Sequence, residues 1–205
     1  MSPWHAIILG LVQGLTEFLP ISSSAHLVFV PAILRLPPPP LAFDVLLHLG
    51  TLAAVVGYFH RDLAALAADA WHGRGRARRV VLLLAVGTLP AVAFGFLARE
   101  FIEGLFASPA ATAWQLAVTG LLLAAADVWR ARGRSCGDLN AAEAAFVGVG
   151  QALAIVPGIS RSGATIAFGL WAGLTREEAA RCSFLLAIPA ILGAGLLEAR
   201  SITAA

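Results

Sequence analysis

The chain has 205 residues, 59% of them hydrophobic and only 13% charged, with a mean hydropathy of +0.84. Soluble domains carry about 25% charged residues, so this composition excludes a water-facing surface and points to a bilayer. All fourteen basic residues are arginine, clustered between apolar blocks, and a net charge of only +2 argues against nucleic acid as a partner. The N-terminus lacks a basic leader region, and Glu17 and Pro20 interrupt its apolar run. It reads as mature protein, not as a cleavable signal.

A spanning helix needs about 20 apolar residues to cross a ~30 Å hydrocarbon core. Phe43–His60, Val80–Ala98, Thr112–Trp129 and Arg181–Glu198 approach that length. Trp4–Leu19, Ile21–Leu36, Ala141–Val156 and Gly163–Gly173 are too short. Each short pair is joined by a polar turn containing proline, at Pro20–Ser24 and Pro157–Ser162. Half-helices around such a turn read as a re-entrant hairpin, whose irregular backbone needs protein or a wet cavity to satisfy it. The predicted fold is therefore an all-α polytopic membrane protein, one domain over residues 1–205, with four spans and two re-entrant hairpins.

Arginine placement sets the orientation. Loop 61–79 (Arg61, Arg74, Arg76, Arg78, Arg79) and loop 130–140 (Arg130, Arg132, Arg134) read as cytoplasmic. Loop 99–111, with Arg99 against Glu100 and Glu103, suits the outside. Hairpin 4–36 then dips in from outside and hairpin 142–173 from inside, and each is followed by one span. That is an inverted repeat, with units of about 1–60 and 141–200. Gln13-Gly-Leu-Thr-Glu-Phe-Leu-Pro-Ile-Ser-Ser-Ser echoes Gln151-Ala-Leu-Ala-Ile-Val-Pro-Gly-Ile-Ser-Arg-Ser with a one-residue slip. Folds of this kind place their site near the midplane, where the broken helices meet.

The two turns hold the candidate chemistry, because ionisable groups inside apolar sequence are costly and usually functional. In the second, Gly158 lets backbone N–H groups approach a ligand, and a helix N-terminus attracts anions. Ser160, Ser162 and Thr165 add hydroxyls, and Arg161 supplies a forked cation suited to phosphate. The alternative is a kinked helix whose arginine pairs with a carboxylate or snorkels to an interface. In the first turn, Gln13 and Glu17 lie four apart on one helical face, able to hold a divalent cation or position a water. Ser22, Ser23 and Ser24 open the next half-helix, with His26 just beyond. The plainer reading makes those serines caps and His26 a buried, satisfied histidine. Asp44, His48 and Thr51 share a face that lines the same cavity or merely packs. Cys136 and Cys182 have no metal-like spacing and fall in separate segments, so neither a disulfide framework nor a zinc site is predicted.

At these turns the sequence resembles the bacitracin-resistance family of undecaprenyl-diphosphatases. The resemblance rests on Gln13-xxx-Glu17-Phe-Leu-Pro-x-Ser-Ser-Ser-x-His26 and Pro157-Gly-Ile-Ser-Arg-Ser-Gly-Ala-Thr165. Phe43-Asp-Val-Leu-Leu-His-Leu-Gly-Thr51 and Phe184-Leu-Leu-Ala-Ile-Pro-Ala-Ile-Leu-Gly193 extend it along the chain. It implies a bacterial inner-membrane enzyme with a periplasm-facing site that hydrolyses undecaprenyl diphosphate to the monophosphate and phosphate. That reaction recycles the lipid carrier of peptidoglycan synthesis and is associated with bacitracin resistance. By position, Glu17 and Gln13 match the pair thought to handle a metal (Mg²⁺ or Ca²⁺) or a proton. Ser23, Ser24 and His26 match the nucleophile and acid/base region, and the phosphate clamp corresponds to Arg161 with Ser160, Ser162 and Thr165. A homodimer is the candidate assembly. Three features depart from the family pattern: Gln13 at the first acidic position, Ala25 where glycine is usual, and about two fewer helices after the second motif. The rival class is a transporter or flippase of a phosphorylated lipid or anion, since inverted repeats of broken helices are transporter architecture.

Overall fold

In a computed structural model, residues 2–97, 109–129 and 132–204 are described, with backbone alone at position 41 and at 197–204. Among the described residues every regular element is a helix. The helices are α1 (Pro3–Thr16), α2 (Ser23–Leu34), α3 (Leu41–Tyr58), α4 (His60–Trp71) and α5 (Gly75–Leu97), then α6 (Pro109–Asp127), α7 (Ala141–Leu153), α8 (Arg161–Trp171) and α9 (Arg176–Ala204).

Local chemistry sets these boundaries. The Ser2 hydroxyl accepts the His5 N–H and Pro3 opens α1, where a missing N–H costs nothing. Asn140 and Glu143 form a reciprocal capping box at the start of α7. Arg35 in a left-handed conformation ends α2, and the prolines at 37–40 prevent its resumption. Helices α1, α2 and α7 come out shorter than the sequence patterns, and α8 keeps its length but starts two residues early. Arg161 is therefore the first helical residue, not part of the loop.

Among the described residues, three helices, α5, α6 and α9, are long and apolar enough to cross a membrane. Only 22, 17 and 39% of the residues in their apolar windows are buried inside the protein. Large apolar side chains such as Leu121 and Leu89 point outward, as lipid contact requires. The apolar pair α3–α4 is bent by 72° at its break, the geometry of a broken span or of a re-entrant segment. This corrects the reading of 61–79 as a loop. Leu63, Leu66 and Ala70, three and four apart, make the half-buried face of a helix lying along α5. Residues 99–108 of the predicted outer loop, and Arg130, lie outside the described residues.

The most extensive packing is between α5 and α7. A Cβ on Gly148 would stand 2.3 Å from the Gly87 carbonyl oxygen, so the two backbones touch. Such close approach through small residues is how helices associate without a hydrophobic driving force. A core of Leu83, Leu139, Val147, Phe168, Leu174 and Leu186 lies beside this contact. Cys136 and Cys182, 46 positions apart, are joined as a disulfide with Cα atoms 5.7 Å apart, against the expectation of unpaired cysteines. Linear spacing was uninformative because the fold folds a three-residue 3₁₀ turn (Cys136–Asp138) back onto α9.

Several arginines tie neighbouring segments together. Arg181 pairs with Asp62 at 3.0 Å, Arg176 with Asp127 at 2.7 Å, and Arg76 donates to the Ser135 hydroxyl at 3.1 Å. Arg134 donates to both Glu143 carboxylate oxygens at 2.6 and 2.7 Å, and this bonding pulls the Glu143 carboxyl down to about 2.

Candidate active site

The two proline-containing turns meet. Glu17, in the turn after α1, is buried and faces Arg161 at the start of α8, Nη2 to Oε1 at 2.8 Å across 144 positions of sequence. Two further bonds hold the hairpins together: the Ser162 hydroxyl donates to the Leu19 carbonyl at 3.0 Å, and the Gly158 N–H donates to the Ser24 hydroxyl at 3.3 Å.

The Glu17 carboxylate is surrounded by donors. Its Oε2 accepts the Ser23 hydroxyl at 2.5 Å and the Gln13 amide at 2.9 Å, while His48 Nε2 stands 3.8 Å away. A hydrogen bond to an ionised acceptor at this length is strong. Gln13 spends its N–H₂ on Glu17, leaving its buried Oε1 without a partner. Nδ1 of His48 bonds the Asp44 carbonyl at 2.8 Å, which turns Nε2 toward the carboxylate. Thus α3 does reach this cluster.

The other predicted residues are engaged differently. Ser22 caps α2, its hydroxyl accepting the Ala25 N–H at 3.3 Å and bonding Ser24 Oγ at 3.1 Å. Nδ1 of His26 bonds the Ser22 carbonyl at 2.8 Å, and its ring bonds neither Ser23 nor Glu17. Ser160 caps α8 by accepting the Gly163 N–H, and since Ser162 donates to Leu19, Ser160 is the donor of the 3.1 Å bond between the two serines. Thr165 Oγ1 bonds the Arg161 carbonyl and Ser183 Oγ, both at 2.7 Å. Arg161 Nη1 also donates to the Ser183 carbonyl at 3.4 Å. The three hydroxyls of the second motif therefore build the turn.

Besides the remaining N–H groups of the Arg161 guanidinium, the donors left over include backbone groups. Among the described residues, the N–H groups of Ser23, Ser24, Arg161 and Ser162 have no acceptor within the protein. They sit in the first turns of α2 and α8, where the helix leaves its N–H groups unpaired and its dipole favours anions. The arrangement offers a hydroxyl on a carboxylate, a guanidinium, and two helix N-termini whose flanking turns are bonded to each other.

Sequence reasoning missed Gln115 and Thr119 of α6 and Ser183 of α9, all at the second turn. Thr112, Gln115 and Thr119 are polar at positions i, i+3 and i+7 of an apolar span, a one-sided pattern that marks a face turned away from lipid. No three His, Cys, Asp or Glu side chains among the described residues converge as a metal cage. The orphaned Gln13 Oε1 and the half-used Glu17 Oε1 are oxygen donors of the kind Mg²⁺ or Ca²⁺ prefers, which fits a cation that takes its remaining ligands from a substrate.

The family model described as Bacitracin resistance protein BacA matches residues 6–205. The chain is 49% identical over 207 residues to an undecaprenyl-diphosphatase of Alcanivorax borkumensis, covering 98% of this chain and 78% of that protein. It is 47% identical over 206 residues to one of Moorella thermoacetica, with the same coverage. A third, from Thermomicrobium roseum, is 46% identical over 212 residues, covering 97% of this chain and 76% of the relative. A match over nearly the whole length, carried through both turns that meet at Glu17 and Arg161, places the chain in the BacA bacitracin-resistance family.

Proposed function

We infer that this chain is a membrane phosphatase that hydrolyses undecaprenyl diphosphate to undecaprenyl phosphate and inorganic phosphate. The observation that carries the reading is the 2.5 Å bond from the Ser23 hydroxyl to Glu17, with Arg161 on the same carboxylate. A hydroxyl bonded to a base beside an anion-binding cation is the arrangement of an activated nucleophile. A transporter has no use for it.

In the mechanism that follows from this geometry, Ser23 Oγ attacks the terminal phosphorus and its proton passes to Glu17 Oε2. The bond from phosphorus to the bridging oxygen breaks, and undecaprenyl phosphate leaves. Water then attacks the phosphoserine, Glu17 returns its proton to Ser23 Oγ as that bond breaks, and the water's proton leaves with the phosphate. Arg161 and the four unpaired N–H groups hold the equatorial oxygens, since phosphoryl transfer gains mostly from positioning and charge stabilisation. A divalent cation, Mg²⁺ or Ca²⁺, held by Glu17 and Gln13 Oε1, supplies charge neutralisation when bound. Ser24 is set aside as nucleophile because its hydroxyl is bonded to Ser22 and Gly158. The prenyl tail lies between helices, in lipid.

The same reading takes the two helical hairpins as re-entrant halves of an inverted repeat in the bacterial inner membrane, with the site open to the periplasm. It is supported by the arginine pairs that tie the 60–79, 132–140 and 174–181 segments together, on the cytoplasmic side by the positive-inside rule. The experiment is phosphate release from a long-chain prenyl diphosphate in detergent, with and without Mg²⁺ or Ca²⁺, beside Glu17→Ala, Ser23→Ala and Arg161→Ala. Cation-dependent release that each substitution abolishes is expected. Release that survives Ser23→Ala would remove the nucleophile assignment, and no release from folded wild type would remove the enzyme.

A further inference from the structure

The turn that carries Arg161 is irregular backbone in an apolar setting, and its polar groups need partners. Besides Ser24, which accepts the Gly158 N–H, partners come from α6, a span to which neither motif belongs. Thr119 Oγ1 accepts the Ser160 N–H at 2.9 Å and reaches the Gly158 carbonyl at 3.4 Å, bridging the turn from within. One helical turn earlier, the Gln115 amide lies against the Pro157 and Ala111 carbonyls, and with its nitrogen turned toward them it donates to both. The approach is close enough to exclude side chains. A Cβ on Gly158 would lie 2.5 Å from the Thr112 carbonyl oxygen, and one on Gly163 would lie 2.9 Å from the Thr119 methyl. Thr119 is 1% exposed, and α6 also packs against α2, the helix that carries Ser23.

We propose that Thr119 and Gln115 are positioning residues of the phosphatase: they fix the Pro157–Ser160 backbone so that Arg161 and the unpaired N–H groups of Arg161 and Ser162 point at the phosphate. Ser160 is both the residue Thr119 holds and the cap of α8. A shift of its N–H therefore rotates the first helical residue, which is Arg161. With the Thr119 hydroxyl gone, the buried Ser160 N–H loses its acceptor, and the turn relaxes toward whatever else satisfies it. The proposal rests on the reading of this turn as the phosphate site.

Thr119→Val keeps the shape and removes the hydroxyl. An unsatisfied buried group costs about 1–3 kcal/mol, and 1.4 kcal/mol is a factor of about ten. The expected result is a KM for the prenyl diphosphate raised about tenfold, with a parallel rise in the inhibition constant of inorganic phosphate. Thr119→Ser, which restores the hydroxyl, should return both to within about twofold of wild type. A role in packing alone would reduce the amount of folded enzyme, and hence Vmax, and leave KM and the inhibition constant unchanged; that result overturns the proposal. Gln115→Met is the second variant should Thr119→Val not fold, with the same expected rise in KM and the same overturning result. Arg161→Ala run alongside separates the two readings. Full activity in Arg161→Ala removes the phosphate site itself, whereas loss of activity there with normal KM in Thr119→Val and Gln115→Met removes only the positioning role.

Discussion

The ion pair between Glu17 and Arg161 should behave as one buried unit, and a double-mutant cycle measures this directly. The two side chains are 5 and 15% exposed and their charged atoms 2.8 Å apart. At an effective dielectric of about 20, that separation corresponds to an attraction of about 6 kcal/mol before desolvation is subtracted. Arg161→Met leaves a buried carboxylate hydrogen-bonded only by Ser23 and Gln13, with His48 at 3.8 Å, and should cost about 3–5 kcal/mol. Glu17→Gln keeps a hydrogen-bonding side chain but strands the guanidinium, with a cost of similar size. Removing both charges together leaves neither ion alone, so the double variant should be less destabilised than the sum of the singles by at least about 2 kcal/mol. Reversible denaturation in mixed detergent, followed by tryptophan fluorescence, gives the four stabilities. Additivity within about 0.5 kcal/mol would mean the two residues do not sense each other. The joining of the hairpins through this pair would then be refuted.

Further outcomes follow from single contacts. Ser23→Ala should lower turnover by about 10³-fold or more. Ser24→Ala, which loses the bonds to Ser22 Oγ and the Gly158 N–H but none to Glu17, should stay within about tenfold; equal losses would contradict the choice between them. Arg161→Lys should preserve the pair with Glu17 and the fold but lose turnover by about 10²-fold, because an ammonium cannot present a planar fork to carboxylate and phosphate at once. Gly148→Ala should prevent stable folding because its Cβ meets the Gly87 carbonyl, whereas Gly14→Ala, with open space around it, should be neutral in a thermal melt. Glu143, held at about 2 by Arg134, binds protons less readily folded than unfolded. Its contribution is present above its ordinary pKa of 4.5 and fades as pH falls from there toward 2. Arg134→Gln should remove that part of the acid dependence of stability; an unchanged slope would count against the pairing.

The parts of the site legible in the sequence are those that break the apolar pattern. Glu17 and Arg161 stood out because a charge inside an apolar stretch is costly unless compensated, and each proved to be the other's compensation. Ser23 and Ser24 looked alike in sequence, and only the fold separates them: one bonds the carboxylate while the other bonds the facing turn. The hydroxyls of Ser160, Ser162 and Thr165 pointed to phosphate as residue types, yet their protons go to Leu19, Arg161 and one another, because hydroxyl direction is set by tertiary neighbours. Helix α4 was obscured by the arginines at its ends, which made the segment look like loop. Gln115 and Thr119 left a detectable trace, polar residues on one face of a span. Nothing in that trace named the Pro157–Ser160 turn as the partner, since the contact spans 41 positions.

The chemistry also explains why the cation here is an arginine. Before substrate arrives, Arg161 is already bonded through Nη2 to Glu17 and through Nη1 to the Ser183 carbonyl. A lysine has three donors on one atom, and two such bonds would leave it little to offer in a fixed direction. A guanidinium has five N–H groups in one plane, so three remain after the scaffold is satisfied. Both tasks, holding the hairpins together and receiving an anion, can thus fall to one residue without a charge being uncovered between them. The helix N-termini complete the logic. Their N–H groups are polar but uncharged, so they can stay unpaired at the meeting point of two turns where another buried charge would be prohibitive. Ser23 then serves twice, its N–H in the first turn of α2 and its hydroxyl on Glu17. This is why the nucleophile, the base and the anion site can be assembled from two broken helices and so few ionisable groups.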